Sequence, residues 1–320
     1  MRINHFFSGL IILTIVGCTK QPQSQPSTLN LGNDIRCKSY SGLPDNWLKD
    51  NYAGMVPIPA GEIILGNNKG YIEEKPFYTE KLSVKKMWAD QTEVTVAQFK
   101  SFVDATGYVT DAEKQGGSAV FTQPENDSFE IMSWWKFKQD VSWKNIDGKF
   151  PNLNEPVRYV TYNDAIAYAS WLGRDLPTEL EYEYLAKGYS QSEDIGPITH
   201  GEINANYWQG NFPVDNTKED GYVGVAPVGC FKSNPFQIYD IIGNVWEWTQ
   251  TPYTGPHSDL HMGDPSSVNN KQPHAANMTI KGGSFLCSAN YCARYRATSR
   301  HPQELNLATS HVGFRTIIRQ

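Results

Sequence analysis

The sequence lacks long runs of charged or apolar residues, which excludes several classes of protein. Among 320 residues, Lys and Arg total 28 and Asp and Glu total 34, so the formal net charge is −6. No run of Lys or Arg is longer than a dipeptide, and a nucleic-acid-binding surface normally needs a basic stripe. The N-terminal apolar run, residues 6–16, is shorter than the stretch of about 20 apolar residues that a transmembrane helix needs. We therefore expect no nucleic-acid partner.

That N-terminal run has the proportions of a signal peptide, with one early Arg and a small residue, Gly17, before Cys18. Its last residues, Ile-Val-Gly-Cys, resemble a bacterial lipobox. The resemblance implies a signal peptide over residues 1–17, lipidation of Cys18, and a flexible Pro/Gln/Ser-rich tether over 18–34. The interpretation is an exported lipoprotein that is held on the bilayer and faces the periplasm. An uncleaved N-terminal anchor is the alternative.

Cysteine is scarce: the chain has five, and four remain after Cys18. Thiols of exported proteins tend to pair. Cys37 and Cys230 lie far apart in sequence and either form a structural disulfide or remain two buried thiols. Cys287 and Cys292, five positions apart in "KGGSFLCSANYCARYR", form a separate pair that could be a disulfide, a metal site or a redox-active site.

Regular secondary structure is sparse in the pattern of the sequence. Helical spacing of apolar residues, with capping and Gly stop signals, predicts helices within 92–107, 161–173 and 178–188. Short apolar runs at 55–66 and 311–318 predict strands between long loops. With no second linker and no repeat, residues 35–320 are predicted to form one α+β domain. Loops of this length usually need ions or cross-links to hold them.

Six motifs spread over residues 54–315 resemble the formylglycine-generating enzyme (sulfatase-modifying factor) family. They read "GMVPIPAGEIILG", "DQTEVTVAQF", "PVRYVTYNDAIAYASWLGRDLPTELEYEYLAKG", "IIGNVWEWT", "KGGSF" and "HVGFR". The resemblance implies a C-type-lectin-like fold with long loops, in agreement with the sparse helix and strand signals. Because this superfamily also contains sulfoxide synthases and inactive binding modules, the fold alone does not name the activity.

The cysteine pair distinguishes these possibilities. Catalytic family members carry Gly-Gly-Ser-x-x-Cys followed by Tyr-Cys-x-Arg-Tyr-Arg, and this pattern is complete in residues 282–296. Two thiolates suit Cu(I), whereas structural zinc requires a fuller set of ligands. The resemblance implies copper at Cys287 and Cys292, dioxygen as co-substrate, a hydrogen-bonding role for Ser284, and a dry site shaped by Trp246 and Tyr291. A plain disulfide is the alternative.

The resemblance also implies two structural calcium ions, since hard oxygen ligands in loops suit Ca²⁺. Turn-forming Asp and Asn residues without an ion are the alternative. The first implied set of ligands comes from Asn206, Tyr207, Asp220 and Tyr222; the second comes from Asp240, Gly243, Val245 and Glu247.

Two further groups of residues allow a structural or a functional interpretation. His257 and His261 have the spacing of a helical metal site, but no helical pattern surrounds them, so we interpret them as surface loop residues. Trp134, Trp135 and Trp143 could be core residues. The family resemblance instead implies a substrate groove, which we assign to Trp135, Trp143 and Arg296.

The hypothesis that joins these observations is a copper-dependent oxidase of exported proteins. The resemblance implies that it converts the cysteine of an unfolded Cys-x-Pro-x-Arg segment in a sulfatase-type protein to formylglycine, using O2. We expect a monomer. One alternative is a non-catalytic lipoprotein that binds a partner through the lectin-like scaffold, which the intact cysteine pair disfavours. Another is an iron-dependent sulfoxide synthase, for which the chain has no additional helical domain.

Overall fold

A computed structural model describes residues 28–76, 80–126, 128–189, 196–199, 201–257 and 277–320. The implied signal peptide, Cys18, most of the tether and His261 lie outside the described residues. The helices are α1 Asp34–Ser39, a 3-10 helix Ile72–Glu74, α2 Val96–Thr106, α3 Asp111–Gln115, α4 Tyr162–Trp171 and α5 Glu179–Lys187.

The strands are short and scattered along the chain. They are β1 Met55–Ile58, β2 Gly61–Ile63, β3 Leu82–Val84, β4 Met87–Asp90, β5 Gly117–Phe121, β6 Trp135–Gln139, β7 Ile198–Thr199, β8 Glu202–Ile203, β9 Trp246–Pro252, β10 Asn277–Lys281, β11 Arg300–Glu304, β12 Val312–Gly313 and β13 Ile317–Arg319. The low content of regular structure is what the sequence predicted.

Capping boxes determine where the main helices begin. Thr95, Thr161 and Thr178 each accept a hydrogen bond from the backbone N–H three residues later, and the side chain at that later position accepts one in return. The predicted window 92–107 therefore becomes a helix only at Val96, because Val94 is still extended and donates its N–H to Phe314 O at 2.8 Å. The sequence did not predict α1 and α3.

Two small sheets organise the domain. One has the order β1-β4-β13, and the other has the order β11-β10-β9-β12. The predicted strand at 55–66 divides into β1 and β2, which pair with β4 and β3 respectively. The predicted strand at 311–318 likewise divides into β12, parallel to β9, and β13, antiparallel to β4. The C-terminal strands thus join the two sheets.

The four-stranded sheet positions the cysteine loop. Strand β10 leads directly into Gly282 and Gly283, and the loop returns as β11, antiparallel to β10. Gly283 has φ +85°, and a Cβ there would collide with the backbone of Arg294 and Tyr295. Only glycine therefore allows the two arms of this loop to approach so closely.

The N-terminal segment belongs to the packed domain from an earlier point than residue 35. Leu29 N–H donates to Gln91 Oε1 at 2.8 Å, Gly32 N–H donates to Gly229 O at 2.7 Å, and Leu31 is buried. Cys37 and Cys230 are linked by a disulfide with 5.0 Å between their Cα atoms. Among the described residues, no helix is long and apolar enough to cross a membrane.

Candidate active site

Cys287 and Cys292 lie side by side and are not joined by a disulfide. Their sulfur atoms are 3.6 Å apart and both cysteines are free. Two backbone hydrogen bonds hold the loop: Cys287 N–H donates to Ser284 O, and Cys292 N–H donates to Ser288 O, each at 2.9 Å. The arrangement is that of a hydrogen bond between the two sulfurs rather than a disulfide.

The two sulfurs differ strongly in acidity. The hydrogen bond from Cys287, assisted by the Arg294 guanidinium, lowers the pKa of Cys292 to about 6. Burial, together with the neighbouring Cys292, raises the pKa of Cys287 well above its usual value. At neutral pH the pair therefore shares one proton, with the thiol on Cys287 and the thiolate on Cys292.

Arg294 is the cation beside this pair. Its Nη1 donates to Cys292 Sγ at 3.5 Å, and its Nη2 and Nε donate to Glu73 Oε1 at 2.5 and 3.2 Å. The guanidinium carbon also lies 4.1 Å from the centre of the Tyr71 ring. Glu73 and Tyr71 were not singled out from the sequence, and the 221 positions between Glu73 and Arg294 leave no local signal for their contact.

A cavity of about 550 Å³ opens onto the cysteine pair. Besides the two cysteines, four residues predicted for the site or groove line it: Trp135, Trp246, Ser284 and Tyr291. Most of the other walls are apolar or aromatic. The residues that complete the described lining are Ala119, Met132, Trp134, Phe212, Leu286, Cys287, Cys292, Arg294, His301, Gln303, Leu307, Thr309 and His311.

Two histidines on this wall were missed by the sequence analysis. Burial lowers the pKa of His311 to about 3. The pKa of the solvent-accessible His301 is also lowered, because the wall partly desolvates its ring and because Arg294 repels its protonated form. His301 Nδ1 lies 2.8 Å from the carbonyl oxygen of Pro302, so this nitrogen carries the hydrogen. Both imidazoles are neutral at pH 7. "HVGFR" was noted as a family motif, but nothing in its spacing placed His311 at the cavity.

The structure corrects two residues of the predicted groove. Trp143 is a core residue, only 2% exposed, and its ring packs edge-on against Phe99 at 5.2 Å between ring centres. Arg296 is not among the described residues that line the cavity, because its guanidinium is ion-paired with Glu74, with Nε–Oε2 at 2.8 Å and Nη2–Oε1 at 2.5 Å.

The expectation that His257 lies on a surface loop is also wrong. His257 is 1% exposed, and its Nε2 lies 3.3 Å from Glu179 Oε1. Glu179 also accepts hydrogen bonds from Arg300, with Nε–Oε1 at 2.8 Å and Nη2–Oε2 at 3.1 Å. The ring of His257 therefore joins a buried network of charges, which the missing helical pattern could not indicate.

At the second implied calcium set, two buried carboxylate oxygens lack a donor, one from a member of the set and one from a residue outside it. Asp240 Oδ1 and Glu93 Oε2 are both buried without a hydrogen-bond partner among the described residues. Burial raises the pKa of Asp240 to about 7, and burial together with the charge of Asp240 raises that of Glu93. Both oxygens of Glu247 are occupied by Arg315, at 2.7 Å each. The orphaned oxygens of Asp240 and Glu93 fit a bound cation, and Glu93 was not assigned a role from the sequence.

The first implied set is already satisfied by hydrogen bonds within the chain. Asp220 Oδ2 accepts from Tyr207 N–H and from Gln209 Nε2, each at 3.0 Å, and Oδ1 accepts from Tyr222 N–H at 2.9 Å. Asn206 Nδ2 donates to Gly224 O at 2.8 Å. This set resembles a self-contained turn more than the second set does, so the second set is the better fit to an ion.

Comparison with known proteins identifies the family of this chain. The model of the sulfatase-modifying factor enzyme 1-like domain matches residues 41–320. The chain belongs to this family. The resemblance seen in the sequence motifs is therefore confirmed for essentially the whole domain.

Several relatives within the sulfatase-modifying factor family carry a named activity. The formylglycine-generating enzyme of Mycobacterium tuberculosis is 38% identical over 297 residues, covering 82% of this chain and 97% of that protein. The formylglycine-generating enzyme of Mus musculus is 37% identical over 282 residues, covering 82% and 74%. A protein of Bos taurus named inactive C-alpha-formylglycine-generating enzyme 2 is 30% identical over 292 residues, covering 85% and 91%.

Solved structures show the same fold at low identity. PvdO from Pseudomonas aeruginosa matches with a TM-score of 0.59 and 21% identity, covering 83% of this chain and 94% of its own. Treponema denticola variable protein 1 matches with a TM-score of 0.54 and 20% identity, covering 83% and 95%. With the scarcity of helices and strands, these likenesses confirm the predicted single-domain α+β fold of this family.

Proposed function

We propose that this protein oxidises a cysteine of an exported sulfatase-type protein to Cα-formylglycine. One observation carries the proposal: two free cysteines lie with their sulfurs 3.6 Å apart at the wall of a cavity of about 550 Å³. Membership of the sulfatase-modifying factor family supports it, as do relatives named formylglycine-generating enzyme at 36–38% identity.

The stoichiometry of the proposed reaction determines which reactants must reach the site. The substrate carbon loses two electrons as its C–S bond is replaced by C=O and the sulfur leaves as hydrogen sulfide. Dioxygen accepts four electrons, so an external thiol must supply the other two and becomes a disulfide. One oxygen atom ends in the aldehyde and the other in water, and the protons come from the substrate and the two external thiols.

In this proposal Cys287 and Cys292 hold Cu(I), which suits two soft thiolates and accepts low coordination. The copper would supply the means of activating dioxygen beside the substrate sulfur. Cys292 is already a thiolate at neutral pH, so only the proton of Cys287 has to leave. The cavity then receives the substrate cysteine close to both sulfurs.

The remaining wall residues bind and shield the substrate. Trp246 is 3% exposed and keeps water from the inner end of the cavity, while Tyr291, at 46% exposed, covers its outer side. Ser284 Oγ accepts a hydrogen bond from Leu286 N–H at 3.3 Å, so its own hydrogen is left to donate to a group in the cavity. Trp135 offers an aromatic face to the peptide chain.

We further propose that calcium stabilises the loops around the site. Asp240 and Glu93 are the expected ligands, because each has a buried carboxylate oxygen that accepts no hydrogen bond from the described residues. Lipidation at Cys18 would tether the enzyme to the bilayer, facing the periplasm. Exported substrates emerge unfolded, and a short segment such as Cys-x-Pro-x-Arg could then enter the cavity of a monomeric enzyme.

The test is mass spectrometry of a Cys-x-Pro-x-Arg peptide incubated with the Cu(I)-loaded protein, oxygen and a thiol reductant. We expect the aldehyde, trapped as a hydrazone, and release of hydrogen sulfide. A serine peptide is the matched control. Absence of the aldehyde with fully loaded protein, or equal product after rigorous removal of copper, would refute the copper-oxidase proposal.

A further inference from the structure

The 3-10 helix Ile72–Glu74 and the residue before it clamp the segment that follows Cys292. Tyr71 contributes its ring to Arg294 at 4.1 Å and to Arg296 at 5.1 Å, and its hydroxyl accepts Ala293 N–H at 3.2 Å. Glu73 pairs with Arg294, and Glu74 pairs with Arg296. Five contacts thus connect two segments that are more than 200 positions apart.

The two ion pairs of this clamp differ in where their arginines lie. Arg294 lines the cavity and donates to Cys292 Sγ at 3.5 Å. Arg296 donates to Glu74 and to Ala293 O and is not among the described residues that line the cavity. Of the two ion pairs, the Glu73 pair is therefore the one that connects the clamp with the sulfur atoms.

We propose that Glu73, aided by Tyr71, is a positioning residue that holds the Arg294 guanidinium against the sulfur of Cys292, where it offsets the charge of the incoming substrate thiolate. The inference deepens the proposed function and rests on it. An arginine side chain has many rotamers, and one carboxylate together with one ring face restricts it to a single orientation. The contact is short and partly enclosed, since the side chains of Glu73 and Arg294 are 14% and 19% exposed.

The contact between Arg294 and Cys292 should matter most when the substrate thiolate binds, because the net charge of the site is then most negative. Two thiolates around a monovalent cation carry one net negative charge, and the substrate thiolate adds a second. Because the site is largely enclosed by apolar walls, an unbalanced charge is costly there. Arg294 is the cation next to the sulfurs, so its orientation affects binding of a thiolate far more than binding of an uncharged side chain.

The test compares the affinity of Cu(I)-loaded protein, kept free of oxygen, for the cysteine peptide and for its serine analogue. Glu73→Gln keeps the shape of the side chain but weakens its hold on Arg294. We expect the preference for cysteine over serine to fall about tenfold, the size of one charge-assisted contact. Arg294→Gln should lower the preference at least as much.

Glu74→Gln is the matched control, because it removes the equivalent charge from the neighbouring ion pair. Glu74 is fully buried and also accepts from Thr298 Oγ1 at 2.8 Å, so this variant should lose at least as much thermal stability as Glu73→Gln. Its preference for the cysteine peptide should remain that of the wild type. A purely structural clamp would instead make the two variants behave alike.

Three results separate the outcomes. An unchanged preference in Glu73→Gln, or an equal loss in Glu74→Gln, overturns the positioning role of Glu73. An unchanged preference in Arg294→Gln overturns the charge-balancing role of Arg294. If the wild type itself shows no preference for cysteine over serine, the proposed function fails at the level of the whole site, and this result is distinct from a failure of the clamp.

Discussion

The acidity of Cys292 gives the sharpest prediction about the metal-free protein. The hydrogen bond from Cys287 and the nearby Arg294 lower its pKa to about 6, from an ordinary value of 9.0. Alkylation by iodoacetamide requires the thiolate. The rate at Cys292 should therefore reach half its maximum near pH 6, and Cys287 should react little because it is 2% exposed with a raised pKa.

The expected rates follow from two opposing effects. At pH 7 a thiol with a pKa of about 6 is about 90% ionised, whereas one with a pKa of 9 is about 1% ionised. A less basic thiolate is also a weaker nucleophile, by roughly 15- to 30-fold for this difference. The net result is that Cys292 should react about 3 to 6 times faster than an ordinary exposed cysteine at pH 7, and more slowly than one above pH 9.

The assay is a pH series of alkylation rates on metal-free protein, with the modified residue identified by peptide mass spectrometry. Cys287→Ala removes the thiol donor and Arg294→Gln removes the charge, so each variant should move the midpoint upward. A wild-type midpoint near pH 9, or equal labelling of the two cysteines, would refute the thiol–thiolate arrangement. Midpoints that stay at pH 6 in both variants would refute its assigned causes.

Three further predictions test other parts of the structure. Cys287→Ser and Cys292→Ser should each abolish formation of the aldehyde while costing less than about 2 kcal/mol of unfolding free energy; a collapse of the melting temperature would indicate a structural pair. In metal-free protein, Asp240 should lower the melting temperature as the pH rises from about 4 to about 7. Its folded-state pKa is raised from 3.8 to about 7, so its stabilising contribution is complete below the unfolded value and is lost as the pH rises through the folded value. Calcium should reverse this fall, and a melting curve that calcium does not move would contradict the cation site. Trp143→Ala should cost about 3–5 kcal/mol in chemical denaturation, whereas Trp135→Ala should chiefly weaken peptide binding, and the reverse pattern would restore Trp143 to the groove.

Local signals in the sequence were sufficient for α2, α4, α5 and the cysteine pair, but not for α1 and α3. Thr161 and Thr178 mark the starts of α4 and α5 because a capping box is formed by residues three positions apart. The spacing of Cys287 and Cys292 within a short loop rich in Gly and Ser likewise kept the two sulfurs close. Motifs of this kind identified the family, and the comparisons confirmed it.

Some residues share the same local sequence pattern but have different roles, and only the tertiary structure shows which role each residue has. Trp135 and Trp143 lie in one aromatic stretch, yet one faces the cavity and the other is buried beside Phe99. A run of large aromatic residues predicts that their side chains will be buried. It does not predict which neighbours each side chain will pack against.

The electrostatics of the site also depend on contacts that no local pattern contains. Glu73 reaches Arg294 across 221 positions, and Glu93 comes near Asp240 from a segment almost 150 positions away. Sequence fixes the chemical type of each side chain and its local backbone. Because the pKa of a thiol or carboxyl is set by burial and by charges within a few ångströms, the shared proton of the cysteine pair and the orphaned oxygens of Asp240 and Glu93 were decided only when distant segments packed together.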